Sequence, residues 1–125
     1  MIVGIGTDIA RVSRFEQNAD NIAKRCCTEQ ELLEMESKKG AKISAVAKRF
    51  AAKEACVKAL GTGFSSGISF QDIEIFHHQN GRPDIRLRGK AAAIMNELCE
   101  DKGKIFLSLS DEKEYVVAMV VIERL

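Results

Sequence analysis

Along the first strand-like stretch, residues 2–9, apolar and small positions alternate. Val3, Ile5, Thr7 and Ile9 fall on one face, and Gly4, Gly6 and Asp8 on the other, a period of two that predicts a half-buried strand. A short helix is expected around residues 11–18. Thr28 opens T-E-Q-E, a capping-box pattern that starts a helix through about Met35. A long alanine-rich helix follows from about Ala41 to Leu60, closed by Gly61-Thr62-Gly63 as a glycine C-cap. Ser69–Phe76 reads as a strand, Asn80-Gly81-Arg82-Pro83 as a turn, and Asp84–Leu87 as a short returning strand. Residues 89–101 read as helical. Lys104–Ser110 and Tyr115–Ile122 form a terminal hairpin around residues 111–113. The run Y-V-V-A-M-V-V-I is apolar almost without interruption, as expected of a central strand covered on both faces. This order predicts an α+β fold, a largely antiparallel sheet packed with one long and several short helices, as a single domain over residues 1–125.

One position breaks the pattern of the long helix. At about 100° per residue, Ile43, Ala47, Phe50 and Val57 fall within an arc of roughly 80° that should face a core. Glu54 sits in the middle of that arc. A buried ionised carboxylate is costly unless it meets a cation. Lys58, one turn on, is the plain structural partner, but such a pair does not explain why the glutamate points inward.

Composition narrows the choices. The 125 residues are 46% hydrophobic and 30% charged with one proline, which describes a compact globular chain. A net charge of +1 excludes a general polyanion sink, so no nucleic-acid partner is expected, and any anionic ligand must be met by a local cluster. No apolar run approaches the ~20 residues that span a bilayer. The N-terminus lacks the features of a signal peptide. Membrane partners are therefore not expected, and a cytoplasmic location is. Cys26, Cys27, Cys56 and Cys99 show no zinc spacing and read as ordinary thiols of a reducing compartment. His77-His78 lacks a third ligand at a recognisable spacing and reads as a surface pair.

Two carboxylates remain for chemistry. Asp8 follows two glycines on its strand face, and glycine in a strand often marks close approach of a backbone or a ligand. A tight helix contact at Gly4 and Gly6, with Asp8 capping the next helix, is the plainer account. Yet two hard carboxylates from separate elements also suit Mg²⁺, which takes one or two of them and completes its octahedron with water and phosphate oxygens. Arg49, Lys53 and Lys58 flank Glu54 on the helix and fit a phosphate-bearing ligand as guanidinium and ammonium groups. Two glycine patterns are excluded as phosphate cradles. G-I-G-T-D-I lacks the small third position and the later acidic residue of a dinucleotide fingerprint. Gly61-Thr62-Gly63 follows a helix C-terminus, whose dipole disfavours phosphate. That triplet is first a cap and second a place where a ligand can approach.

Taken in order, M-I-V-G-I-G-T-D-I, R-F-A-A-K-E-A-x-x-K-A-L-G-T-G, S-F-Q-D-I-E-I, N-G-R-P and L-S-L-S with E-Y-V-V-A closely resemble the bacterial holo-acyl-carrier-protein synthase family of 4′-phosphopantetheinyl transferases. The resemblance implies the fold of that family and transfer of the 4′-phosphopantetheine arm of coenzyme A to a serine of apo-acyl-carrier protein. It implies that Asp8 and Glu54 hold Mg²⁺ against the coenzyme A diphosphate, with Lys58 on phosphate, so that Asp8, Glu54 and Lys58 are the catalytic set. Arg49, Lys53 and Gly61 would belong to the coenzyme A region, and Asn80, Gly81 and Pro83 would lie near its adenine end. Arg14 and Arg25 would meet the acidic carrier protein. A homotrimer with sites at subunit interfaces is implied. Where the family usually carries His after L-S-L-S, this chain has Asp111, so no role of that histidine carries over. A noncatalytic nucleotide- or coenzyme-A-binding module, and a trimerisation domain whose Glu54 pairs with Lys58, are the alternatives from other classes.

Overall fold

The computed structural model describes residues 1–36 and 42–125. Strand β1 (Ile2–Arg11) leads through a 3-10 turn at Val12–Phe15 into α1 (Ala19–Cys26), α2 (Glu29–Glu36) and the long α3 (Lys42–Leu60). Two further 3-10 turns, Gly63–Ser66 and Phe70–Asp72, precede β2 (Ile73–His77) and β3 (Pro83–Leu87). Then come α4 (Gly89–Cys99), β4 (Gly103–Asp111) and β5 (Tyr115–Arg124). The strands form an antiparallel sheet in the order β1-β5-β4 and a separate β2-β3 hairpin. The α+β class and antiparallel sheet expected from the sequence are present, with β5 central. The predicted helix start at Ala41 lies outside the described residues.

Local signals explain most elements. Thr28 and Glu31 form the capping box, with Thr28 N–H donating to Glu31 Oε1 at 2.9 Å and Glu31 N–H to Thr28 Oγ1 at 3.2 Å. Gly61, at φ +80°, ends α3 as expected, and its N–H donates to the Lys58 carbonyl. Two expectations shift. Residues 11–18 form only a 3-10 turn, and the helix comes later, at Ala19–Cys26. Ser69 does not begin a strand. It caps a 3-10 turn, with Asp72 returning the bond to the Ser69 N–H, so S-F-Q-D is a second capping box ahead of the strand.

The core lies between the sheet and α3. Val116, Ala118, Val120 and Ile122 of β5 are fully buried against it. Helix α3 is buried around most of its circumference, including Ala45–Ala47, Ala51, Ala52, Ala55–Val57, Ala59 and Leu60, so it is a central helix and not one with a single apolar stripe. Gly4 and Gly6 have a direct physical reason. A Cβ at Gly4 would stand 2.1 Å from the Ala59 carbonyl oxygen, and one at Gly6 would stand 2.0 Å from that of Ala55. The helix backbone, not a ligand, fills the space beside them. We expect Gly6→Ala to cost about 3 kcal/mol or more, because the clash is with backbone that cannot yield without displacing α3. Thermal unfolding would show this, and a Tm equal to that of the wild type would contradict the close approach.

The second face of β5 differs from expectation. It is not covered: Val117 and Met119 are 39% and 40% exposed, beside Ile5 at 60%, Ile9 at 63% and Phe106 at 50% on the neighbouring strands.

Candidate active site

The tight β1–α3 contact brings three side chains together. Lys58 Nζ donates to the Thr7 carbonyl at 2.9 Å and lies 3.3 Å from Asp8 Oδ1. Lys58 therefore reaches across to β1 rather than pairing along its own helix with Glu54. Asp8 caps no helix, because the 3-10 turn after β1 is led by Arg11 with no side-chain cap. Glu54 is half-buried. Burial pushes its carboxyl above the ordinary carboxylate range, and the nearby Asp8 charge pushes further, while Lys58 and Arg14 oppose the shift. The result is two half-buried carboxylates from separate elements that repel each other at one point, with a half-exposed ammonium beside them.

That arrangement fits a divalent cation. A hard dication relieves the mutual repulsion, and two carboxylates are the protein share that Mg²⁺ commonly takes. Among the described residues no cluster of three or more His, Cys, Asp or Glu side chains is placed to hold a metal, so the remaining positions would fall to water and substrate oxygens.

The other predicted residues separate into three groups. Arg14, in the 3-10 turn after β1, is exposed, with its guanidinium 5.2 Å from the centre of the Phe50 ring and its charge felt at Glu54. Arg25 is exposed in the last turn of α1. Gly61 is exposed three residues beyond Lys58.

Asn80, Gly81 and Pro83 shape the tip of the β2-β3 hairpin, where Asn80 Oδ1 accepts from the Arg82 N–H. Pro83 also lines an open groove of about 380 Å³ with Arg82, Asp84 and Lys104–Leu107 of β4. Strand β4 is the edge of the sheet opposite β1. Within one chain, the hairpin tip and Asp8 therefore lie on opposite sides of β5.

Arg49 and Lys53 require correction as coenzyme A contacts. Lys53 is fully buried, and its ammonium donates to Glu31 Oε1, the Cys26 carbonyl and the Phe70 carbonyl. Arg49 is buried too, with Nη1 on the Ala45 carbonyl and Nε and Nη2 facing Glu31 and Glu34 at 3.6 and 3.3 Å. Both cations turn into the protein because Glu31, held by its capping box, presents a buried anion there. Neither is free for phosphate. Glu74 carries a similar load, accepting from Thr28, Arg86 and Arg88, which together outweigh its burial and hold its carboxyl below the ordinary range. Asp111 pairs with Lys48 at 3.3 Å.

Sequence reading missed the ring cluster beside Glu54. Phe15 meets Phe50 edge-on at 5.4 Å, Phe50 stacks on Phe70 at 5.8 Å, and Phe70 on Phe64 at 4.0 Å. No spacing rule joins four phenylalanines from four segments.

Comparison with known proteins places the chain. Residues 4–120 match the 4′-phosphopantetheinyl transferase superfamily. The holo-[acyl-carrier-protein] synthase of Shewanella frigidimarina is 47% identical, with 98% of each chain covered. The crystal structure of the synthase from Neisseria meningitidis superposes with a TM-score of 0.84 at 40% identity, covering 98% of this chain and 99% of that one. The synthase from Bacillus anthracis, solved in complex with CoA (3′,5′-ADP), gives a TM-score of 0.84 at 38% identity, covering 100% and 99%. The chain belongs to the 4′-phosphopantetheinyl transferase superfamily, within its holo-[acyl-carrier-protein] synthase branch.

Proposed function

We propose that Asp8, Glu54 and Lys58 are the catalytic set of a cytoplasmic, Mg²⁺-dependent holo-[acyl-carrier-protein] synthase that moves 4′-phosphopantetheine from coenzyme A to a serine of apo-acyl-carrier protein. The observation that carries this reading is the meeting of two repelling carboxylates with one half-exposed ammonium at the β1–α3 contact. The serine oxygen attacks the β-phosphorus. The bond to the bridging oxygen breaks, and adenosine 3′,5′-bisphosphate leaves. Asp8 and Glu54 would hold the metal, and Lys58, tethered to β1 through Thr7 but still half-exposed, would offer N–H donors to the diphosphate as charge builds on the leaving side. When bound, Mg²⁺ would supply charge neutralisation and orientation of the diphosphate. The serine proton passes to a carboxylate of the pair, directly or through water.

Two observations support a homotrimer with sites at subunit interfaces. Ile5, Ile9, Phe106, Val117 and Met119 stand exposed together on one face of adjacent strands β1, β5 and β4 and not singly over the surface. The Asn80–Pro83 tip, far from Asp8 in its own chain, would complete the site of a neighbour. Arg14 and Arg25 stand exposed for the carboxylates of the carrier protein.

The test is chromatography of the protein with coenzyme A, apo-carrier protein and Mg²⁺, together with its sedimentation mass. The reading requires one adenosine 3′,5′-bisphosphate per carrier modified, none in excess chelator, and a mass of three chains. Coenzyme A left intact beside a verified acceptor would leave a binding module as the better account.

A further inference from the structure

Helix α1, which presents Arg25, meets the core along one face, with Ala23 and Cys26 buried and Ile22 part-buried against it, while Arg25 lies exposed in its last turn. Its last carbonyls need donors, because a helix C-terminus leaves them without intrahelical partners. The Ala23 carbonyl takes the Cys27 N–H at 2.9 Å. The carbonyls of Arg25 and Cys26 are capped from distant segments. Gln71 Nε2 donates to the Arg25 carbonyl at 2.7 Å, and Lys53 Nζ donates to that of Cys26.

The Gln71 amide is itself aimed. Ser69 Oγ donates to its Oε1 at 2.8 Å, which leaves Nε2 turned toward α1, and the Ser69 Oγ also accepts the Gln71 N–H. A side chain exposed to solvent but bonded at both ends of its amide is a strut. It ties the backbone of Arg25 to the 3-10 turn whose Phe70 carbonyl is held by Lys53, the residue before Glu54.

We propose that Gln71 is a positioning residue for carrier-protein docking: it fixes the C-terminal turn of α1, and with it Arg25, relative to the Asp8–Glu54 site. This rests on the reading of Arg25 as a carrier contact. Gln71 lies outside the core and touches no residue of the catalytic set, so its removal acts on the docking helix and not on the chemistry.

The experiment is steady-state kinetics of Gln71→Ala, Gln71→Glu, Arg25→Ala and the double variant Arg25→Ala/Gln71→Ala. Gln71→Ala raises KM for the carrier protein about fivefold, the weight of one hydrogen bond. Its kcat and its KM for coenzyme A stay at wild-type values. Gln71→Glu, which keeps the shape but offers a carboxylate to a carbonyl, raises the carrier KM further. The double variant is no worse than Arg25→Ala alone, because the strut acts through the arginine; such coupling is what a cycle of this kind measures. An unchanged carrier KM in Gln71→Ala, or losses that add in the double variant, overturns the proposal. If Arg25→Ala leaves the carrier KM unchanged while the wild type transfers, the docking role of Arg25 fails and the proposal with it. A wild-type protein that transfers nothing instead refutes the transferase reading itself.

Discussion

Glu54→Gln lowers the rate of phosphopantetheine transfer by roughly 10²–10³-fold, the scale on which removing one preorganised charge-stabilising group acts, and does so without unfolding the protein. The second half of that expectation separates a catalytic carboxylate from a structural one. In the folded chain, burial and the Asp8 charge raise the Glu54 carboxyl above the ordinary glutamate range. Between the unfolded and folded values the native state binds more protons than the unfolded state, so stability falls as pH rises through that window. Above it, the ionised carboxylate is a net cost to folding. Glutamine removes the charge, so the Tm of Glu54→Gln at pH 7 in chelator is equal to or above that of the wild type. Mg²⁺ with coenzyme A then raises the Tm of the wild type and leaves that of the variant nearly unmoved. A variant that is both inactive and much less stable would mean that Glu54 is a structural group.

The largest effect on stability is expected at the neighbouring residue. Lys53→Met leaves Glu31 fully buried without its closest cation, which stands 2.6 Å away in the wild type. It also strips the Cys26 and Phe70 carbonyls of their donor. Breaking a buried pair by removing one partner costs about 3–5 kcal/mol, equivalent to a Tm lower by roughly 10 °C or more in a chain of this size. Arg49 remains near Glu31 at 3.6 Å and keeps the loss from being larger. Lys53→Met combined with Glu31→Gln recovers part of it, because the stranded charge is gone while an amide can still serve Thr28. Calorimetry of the two variants beside the wild type checks this. A Tm for Lys53→Met within about 2 °C of the wild type, with wild-type affinity for coenzyme A lost, would instead return Lys53 to the ligand.

These two adjacent residues also show what can be read from the chain and what cannot. Glu54 is legible only in part: periodicity groups it with Ile43, Ala47, Phe50 and Val57, but α3 has no single apolar stripe, and Glu54 lies with Ile43 and Phe50 on its half-buried side. Lys53 is not legible, because the anion that buries it lies 22 residues away on α2, and flanking position on a helix says nothing of that. The glycines before Asp8 signalled a close approach correctly. What approaches was open to a backbone or a ligand, and the answer is the α3 backbone at Ala55 and Ala59.

Strand β5 was recognisable from its apolar run, but alternate burial of Val116, Ala118, Val120 and Ile122 against exposed Val117 and Met119 cannot be told from full coverage when both faces are apolar. Helix α1 carries the i, i+3, i+4, i+7 spacing of an amphipathic helix in Ala19, Ile22, Ala23 and Cys26, but three of those four side chains are small and the face spans only two turns. The β2-β3 hairpin was found through Asn80-Gly81-Arg82-Pro83, whereas its place beside β4 depends on tertiary packing that no turn signal encodes.

On the proposed reading, the carboxylate pair at the β1–α3 contact performs the transfer. The most direct measurement is the intact mass of apo-acyl-carrier protein after incubation with coenzyme A, Mg²⁺ and either the wild type or Asp8→Asn, each confirmed as folded. The expected result is a gain of one phosphopantetheine with the wild type and an unchanged carrier with Asp8→Asn over the same interval. Equal mass gain from both proteins would contradict it.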